Sequence, residues 1–427
     1  MSVKRSSDTG HQSDDALLDL VQRQTLTYFW DFAHPASGMA RERSNAVPGY
    51  DYLATVCSGG TGFGIMALIA GAARGFLPRA AILDRIRTIV AFLARAENHN
   101  GIFPHFLHGE TGATIPFAEK DDGGDLVETA FLMAGLLCAR QYFSRPAADE
   151  TRLRAAVDRL WRAVEWDWHT RGREVLYWHS SLRHGWALEH AITGWNECLI
   201  AYVLAASSPT HAISPAVYHN GWTASPTFLN GEQYYGITLP LGPPYGGPLF
   251  FSHYSFLGLD PRNLRDRYAD YWQQCRAHTL INHAHCIANP NQFAGYGDRA
   301  WGLTACDGDD GYAAFCPSND RGVIAPTAAL SSLPYTPRES MAMLRHLYES
   351  MGGALWGRYG FVDAFNTSKH WHAGSNLAIN QGPIVVMIEN CRSGLLWDLF
   401  MSCEEVRAGL RRLGFESPAL TISSSRA

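Results

Sequence analysis

Apolar residues recur at i, i+3, i+4 spacing along most of the chain, the period expected of helices that bury one face. The pattern predicts helices over 17–32, 62–73, 80–94, 126–142, 152–164, 190–205, 263–278, 337–348, 377–390 and 404–413. Several follow one another through short turns: in Gly75-Phe76-Leu77-Pro78 a glycine stop is followed at once by a proline start. Two stretches, 218–260 and 289–321, break the period and are rich in Trp, Tyr, Asp, Asn and Gly. They are longer than structural connections need, so they are expected to carry function, with short strands such as 248–251 confined to local hairpins. The chain therefore reads as all-α, and successive helical hairpins can pack as a bundle, a solenoid or a closed ring.

Within this pattern one helix start is unusual. Asp121, Asp122, Asp125 and Glu128 crowd into eight residues ahead of an apolar helical run. Like charges three and four residues apart repel by a few tenths of a kcal/mol each in water, and by more when partly buried, so such crowding costs stability unless it is used. Gly123-Gly124 makes a tight entry, Asp125 suits the N-cap, and Glu128 three residues later suits a capping box. Capping explains Asp125 and Glu128 but not Asp121 or Asp122. The helix macrodipole is expected to hold Asp121, Asp125 and Glu128 ionised.

A further carboxyl, Glu197, sits in the predicted helix 190–205 among almost wholly apolar neighbours. A charge there costs several kcal/mol unless paired, so the group either finds a partner or moves its pKa upward and keeps its proton at neutral pH. A buried structural Glu is the plainer alternative; adjacent Trp195 and Asn196 favour function. One carboxyl kept protonated and another kept ionised is the division of labour that glycosidic bond hydrolysis requires.

Composition narrows the reading. The 427 residues show no Ser/Pro/Gly-rich spacer or charge block, which favours one large domain over 15–416 with flexible tails at 1–14 and 417–427. A net charge of −5 with no basic stripe argues against nucleic acid as a partner. No run reaches membrane-spanning length, and the polar first residues lack a secretory apolar core, so the expected address is cytoplasmic if Met1 is the native start and periplasmic if a leader has been removed. Nine scattered cysteines suit a reducing compartment, with Cys306 and Cys316 the one pair placed to cross-link a loop. Thirteen Trp and eighteen Tyr supply flat apolar faces of the kind sugar rings stack on, although most Trp in any protein are core.

Three other motifs carry less. Gly59-Gly60-Thr61-Gly62-Phe63-Gly64 has the composition of a nucleotide loop but no preceding Val/Ile strand, so no dinucleotide cofactor is expected. Asp307-Gly308-Asp309-Asp310-Gly311 lacks the spacing of a calcium loop and reads as a surface acidic turn. His283-Ala284-His285-Cys286 lacks a second ligand pair and reads as a polar helix end, so no metal is expected.

The segments Asp122-Gly123-Gly124-Asp125-Leu126-Val127-Glu128-Thr129-Ala130-Phe131, Gly194-Trp195-Asn196-Glu197 and Ser252-His253-Tyr254-Ser255-Phe256-Leu257-Gly258-Leu259-Asp260-Pro261-Arg262 resemble the glycoamylase-like proteins. That group includes the endo-β-1,2-glucanases of glycoside hydrolase family 144 and the transglycosylase segment of cyclic β-1,2-glucan synthases. Ser58-Gly59-Gly60-Thr61-Gly62-Phe63-Gly64 and Ala378-Ile379-Asn380-Gln381-Gly382-Pro383 extend the resemblance over nearly the whole chain. It implies an (α/α)6 barrel with minor β-hairpins, a groove where the long loops gather, and a Gly-rich active-site loop entering an inner helix. It places Asp121, Asp125, Glu128 and Glu197 on the family's candidate catalytic acids. Glu197 is assigned as general acid, and Asp125 is preferred within the acidic cluster as base or water-orienting group. Trp195, Tyr235, His253, Tyr254, Asp260, Arg262, Tyr296, Trp301, Asn380 and Gln381 are expected to contact sugar, with Arg262 alternatively serving to fix Asp260. The implied activity is hydrolysis of β-1,2-linked glucan or its oligosaccharides, with inversion in the glucanases and retention in the synthase segment. Retaining transglycosylation, another glucan linkage and non-catalytic glucan binding are the alternatives, and oligomeric state is left open.

Overall fold

The computed structural model describes residues 12–421; most of the predicted tail 1–14, and residues 422–427 of the predicted tail 417–427, lie outside the described residues. Among the described residues fourteen α-helical segments follow in order: α1 Asp14–Asp31, α2 Ser58–Ala73, α3 Arg79–Leu93, α4 Leu126–Tyr142, α5 Ala148–Ala163, α6 Leu199–Ser207, α7 Tyr271–Ala288, α8 Pro326–Leu330, α9 Pro337–Arg345, α10 Gly352–Leu355, α11 Ala378–Arg392, α12 Leu395–Met401, α13 Glu404–Arg412 and α14 Pro418–Thr421. Strands are short. β1 Thr55–Cys57, β2 Phe106–His108 and β3 Thr114–Ile115 form an antiparallel sheet with Val56 opposite Leu107 and Phe106 opposite Ile115. β4 Gly124–Asp125 pairs with β5 His179–Ser180, setting Asp125 opposite His179. The remaining ladders are two-residue hairpins.

Burial sorts the helices into two layers. Along α2, α4, α6 and α11 nearly every residue is buried, as expected of helices that are apolar all round. α5 and α13 bury only a stripe, Leu153, Val157 and Trp161 in one and Val406, Gly409 and Leu410 in the other, and turn most of their charges outward, Glu150 of α5 being buried against Arg79. Inside, α2 packs between α4 and α11, α4 meets α6, α6 meets the 3₁₀ turn Ser255–Leu257, that turn meets α11, and α11 meets α8. Outside, α1 lies on α2 and α11, α3 on α2 and α5, and α13 on α6.

The Gly-rich segment 59–64 forms the first turns of α2 and not a loop, a departure from the expected active-site loop. Glycine is needed there because helix backbones touch. A Cβ on Gly62 would lie 2.1 Å from the Phe131 carbonyl oxygen of α4, and one on Gly135 would lie 2.2 Å from the Gly62 carbonyl oxygen. The close approach offsets the roughly 1 kcal/mol that a mid-helix glycine costs. Gly60 meets Ala378 at the start of α11 in the same way, so α2, α4 and α11 bring their N-termini to one end of the molecule.

Several predicted boundaries move. The helix predicted at 190–205 begins only at Leu199, and Glu197 lies in the irregular segment ahead of it. Gly194 takes φ +76° there, which breaks the helical run that the apolar residues suggest. Residues 248–251 enter a 3₁₀ turn, Leu249–Ser252, in place of a strand. The helix predicted from 263 starts at Tyr271, where the Asp270 side chain accepts from the Gln273 amide. The short helices α8 and α12 give too few turns for periodicity to reveal them. The predicted tail from 417 contains the α14 turn, with Leu420 buried. Cys306 and Cys316 are free, as are the other seven cysteines. Among the described residues no helix is long and apolar enough to cross a membrane.

Candidate active site

A cavity of about 810 Å3 opens at the end where the inner helices start, within the range of small-ligand sites. Its lining includes Glu128, Glu197, His105 and Trp178 as well as Glu42, Arg43, Asp307 and Ser375 from distant parts of the chain.

Asp125 caps α4. Its Oδ1 accepts from the amides of Val127 at 3.0 Å and Glu128 at 2.9 Å, and from Trp178 Nε1 at 3.0 Å. The reciprocal half of the predicted capping box is missing: Glu128 Oε2 instead accepts from the Gly59 amide of α2 at 2.6 Å. Glu128 is thereby turned across the α2/α4 seam toward the cavity. His105, just before β2, lies with Nδ1 3.4 Å from Asp125 Oδ2 and Nε2 3.9 Å from Glu128 Oε1. His179, on β5 opposite Asp125, lies with Nε2 3.3 Å from Asp121 Oδ2 and 3.8 Å from Asp125 Oδ2. Asp122 turns elsewhere, to Ser181 and to Arg183 Nε at 2.6 Å, which together with Arg183's charge hold it below the usual carboxylate range despite desolvation.

These partners give the carboxyls different protonation. Burial alone would raise Asp125, but the hydrogen bond and charge of His105, with the Glu128 amide and the neighbouring His179 adding to them, hold it below the ordinary value. Burial and the Asp125 charge raise Asp121 to about 7, and its Oδ1 is buried without a hydrogen-bond partner. Burial, with Asp125 adding to it, also raises Glu128. The macrodipole expectation thus holds for Asp125 and fails for Asp121 and Glu128, because desolvation and mutual repulsion outweigh it. Burial likewise pushes Glu197 up to about 7, with the charges of Asp125 and Glu128 adding to the effect. The expected upward shift of Glu197 therefore comes from a buried pre-helix segment and not from a mid-helix position. His105 is driven the other way: burial opposes its charge, yet Glu128, Asp125 and Asp121 raise it to about 9.

The facing wall is also acidic. Arg43 contacts Glu42 Oε2 at 2.9 Å and Asp307 Oδ1 at 3.2 Å, and Tyr50 donates to Glu42 Oε2 at 3.0 Å. Behind them Asp363 accepts from the Asp307 amide at 2.7 Å and from Asn380 Nδ2 at 2.8 Å; burial and Asp307 push it to about 7. The Asp307 turn, read from sequence as a surface feature, thus forms part of the cavity.

Of the side chains expected to contact sugar, Tyr254 lines the cavity. Asn380 stands behind it, joining Tyr254 to Asp363. Gln381 donates to the Phe361 carbonyl within the core. Trp195 is buried against Trp222 and Tyr271, and Trp301 is wholly buried beside His283. His253 is buried against Ser332. Asp260 and Arg262 pair with each other while the guanidinium covers Trp397, in line with the alternative that Arg262 fixes Asp260. Tyr235 and Tyr296 join a separate network through His285 and Asp320. Residue type marked these ten groups as sugar ligands; of them, Tyr254 alone lines this cavity.

Sequence reasoning missed His105, His179, Trp178, Glu42 and Arg43. No spacing signal exists for them, because they come from three separate stretches, 42–43, 105 and 178–179, which reach the cavity only through tertiary packing. The ligand atoms of Asp121, Asp125 and His179 lie within 4.8 Å of one another, a spacing compatible with a cation. Asp125 Oδ1 already accepts from three donors, and its Oδ2 faces His105.

Comparison with known proteins adds an independent line. The family model Glycoamylase, described as "Putative glucoamylase", matches residues 189–404. The crystal structure of an endo-β-1,2-glucanase from Chitinophaga pinensis, in complex with sophorotriose and glucose, superposes with a TM-score of 0.94 at 52% identity, covering 96% of this chain and 100% of that one. An exo β-1,2-glucooligosaccharide sophorohydrolase (non-reducing end) of Parabacteroides distasonis is 43% identical over 96% of this chain; the chain spans 59% of that relative's length. An endo-β-1,2-glucanase from Talaromyces funiculosus shares the fold at a TM-score of 0.62 and 12% identity.

Proposed function

The chain belongs to the glycoamylase family, and from that premise and the chemistry of its cavity we propose that it is a glycoside hydrolase cleaving β-1,2-linked glucan or its oligosaccharides. The observation that carries the reading is the split between a carboxyl that lines the cavity and one buried just behind its wall: Glu197 is raised to about 7, while Asp125, covered by Trp178 and Glu128, is held below its ordinary value. A group that keeps its proton near neutral pH protonates the glycosidic oxygen as it leaves, and an ionised partner assists water on the opposite face of the sugar. Glu197 is the general acid in this scheme. Asp125, with Asp121 and Glu128 around it, forms the basic side, and the outcome is inversion at the anomeric carbon.

The inner helices α2, α4, α6, α8 and α11, with the 249–257 segment, form the inner ring of an (α/α)6 barrel in this reading. The contacts that run from each of α2, α4, α6 and α11 to its neighbours support it. Convergent helix N-termini then favour the negative charge that the cavity collects.

The test is to give purified protein linear β-1,2-glucan and sophorooligosaccharides, sizing products and following their anomeric configuration by NMR. Newly inverted short products are expected. A series of lengths would mark endo action, and sophorose alone would mark release from an end. Longer or cyclic products with retained configuration would replace hydrolysis by transglycosylation, and cleavage of another glucan alone would overturn the linkage.

A further inference from the structure

The acidic side of the cavity has too much negative charge for its surroundings. Asp125 lies within contact distance of two imidazoles, His105 and His179; Glu128 shares the first and Asp121 the second, while Asp122 has its own cation in Arg183. Burying several carboxylates together costs several kcal/mol per ion unless a counter-charge and hydrogen bonds compensate. His105 is the group placed between two of them, one ring nitrogen toward Asp125 and the other toward Glu128. Its ring is fixed by Phe117, stacked at a centroid distance of 4.5 Å and 24° between planes, and by Phe106, edge-on at 4.5 Å.

We propose that His105 is a positioning residue for the reaction: an imidazolium that bridges Asp125 and Glu128 and so keeps Asp125 ionised at neutral pH. This rests on the hydrolase reading of the cavity. The charged and titratable groups that face the pair are Asp125 at the end of β4, where it caps α4, Glu128 on α4, Asp121 on the turn before β4, His179 on β5, and Glu197 ahead of α6, whose carboxyl feels both Asp125 and Glu128. His179 cannot substitute for His105, because burial and the charges of His190 and His105 hold it below the ordinary imidazole value despite the attraction of Asp125. The cation at His105 persists where an ordinary imidazole would have lost its proton, and two neighbouring carboxylates are the reason. Its role is electrostatic, exerted through the carboxylates and without contact to the bond that breaks.

The experiment compares wild type, His105→Gln and His105→Arg on linear β-1,2-glucan oligosaccharides. An opposite charge at this range lowers a carboxyl pKa by about 1–3 units. His105→Gln is therefore expected to move the acid limb of the kcat profile upward by about one pH unit or more, with KM little changed, and His105→Arg to restore the limb. An unmoved limb with a raised KM would make His105 a substrate contact and overturn the proposal. A measurement that needs neither substrate nor variant stands beside it: the 15N shifts of the His105 ring in the wild-type protein should report a doubly protonated imidazole up to pH 8. A ring that loses its proton near 6.5 or below would overturn the proposal even in an active enzyme. If the wild type cleaves no β-1,2-glucan while the ring remains protonated, the substrate reading fails and the electrostatic role stands.

Discussion

The two walls of the cavity are both built from buried carboxyls, and they differ in what balances them. On the α4 side the counter-groups are imidazoles, His105 and His179, at distances of 3.3 to 3.9 Å. On the facing side the counter-group is the Arg43 guanidinium, held between Glu42 and Asp307 at 2.9 and 3.2 Å, with Ser375 and Asn380 fixing the acids behind it. A guanidinium never releases its proton in the working range, so that wall presents a fixed array of donors and acceptors suited to orienting hydroxyl groups. On the other side Glu197, and Asp121 behind it, are raised to about 7 and can exchange protons near neutrality, so that wall is suited to proton transfer. Charge content is alike; the counter-charge beside each acid sets what it can do.

The contrast can be broken most sharply at Glu197. Glu197→Gln keeps the shape of the side chain and removes the proton donor, and turnover is expected to fall about 10²–10⁴-fold with an unchanged circular dichroism spectrum. Wild-type turnover in that variant would remove the general acid from this wall. Asp125→Asn should cost about 10²-fold in kcat while sparing stability to within about 1 kcal/mol, because Asn also caps helices well. Thermal denaturation alongside kinetics separates the two effects. On the facing wall, Arg43→Met should reverse the balance. It strands two buried acids and is expected to lower unfolding stability by about 3 kcal/mol and raise KM, without moving either pH limit of kcat. A shifted pH limit would mean that this wall also takes part in proton transfer.

The smallest expected effect is on stability against pH. Glu197 and Asp121 have folded values of about 7, above the ordinary carboxyl range near 4. Groups raised in the folded state bind protons more tightly there, so their contribution is full below about pH 4 and is lost as pH rises toward 7. Asp125 and Asp122, both lowered, act in the opposite sense and lose their contribution as pH falls. Melting temperatures from pH 5 to 8 should therefore decline less in Glu197→Gln than in wild type. An equal decline in both would remove Glu197 from the groups that titrate.

Local chemistry was legible where neighbours in sequence are neighbours in space. The Asp125 cap and the exact span of α4 follow from spacing and composition, whereas the all-round burial of α2, α4, α6 and α11 goes beyond the one buried face that the period predicts. The acid pair 121/125 was legible for the same reason, and the Gly-rich segment was misread because close helix packing and a ligand loop use the same residues. Glu197 was placed in a helix that starts two residues later, yet its apolar surroundings were readable. The histidines were not readable, since β4 pairing with β5 is what brings His179 to Asp121, and a loop ahead of β2 is what brings His105 to Asp125. Trp195 and Trp301 show the converse. Their type suits sugar stacking, but only the fold shows that both are enclosed by protein.

The account turns on Glu197 holding a proton where Asp125 does not. Infrared difference spectra of wild type against Glu197→Gln, recorded from pH 4 to 9, isolate the carbonyl band of that one protonated carboxyl. A band present at pH 6 that fades with a midpoint near 7 is the predicted result. A Glu197 already ionised at pH 5 would contradict the assignment and remove the proton donor on which the proposed hydrolysis depends.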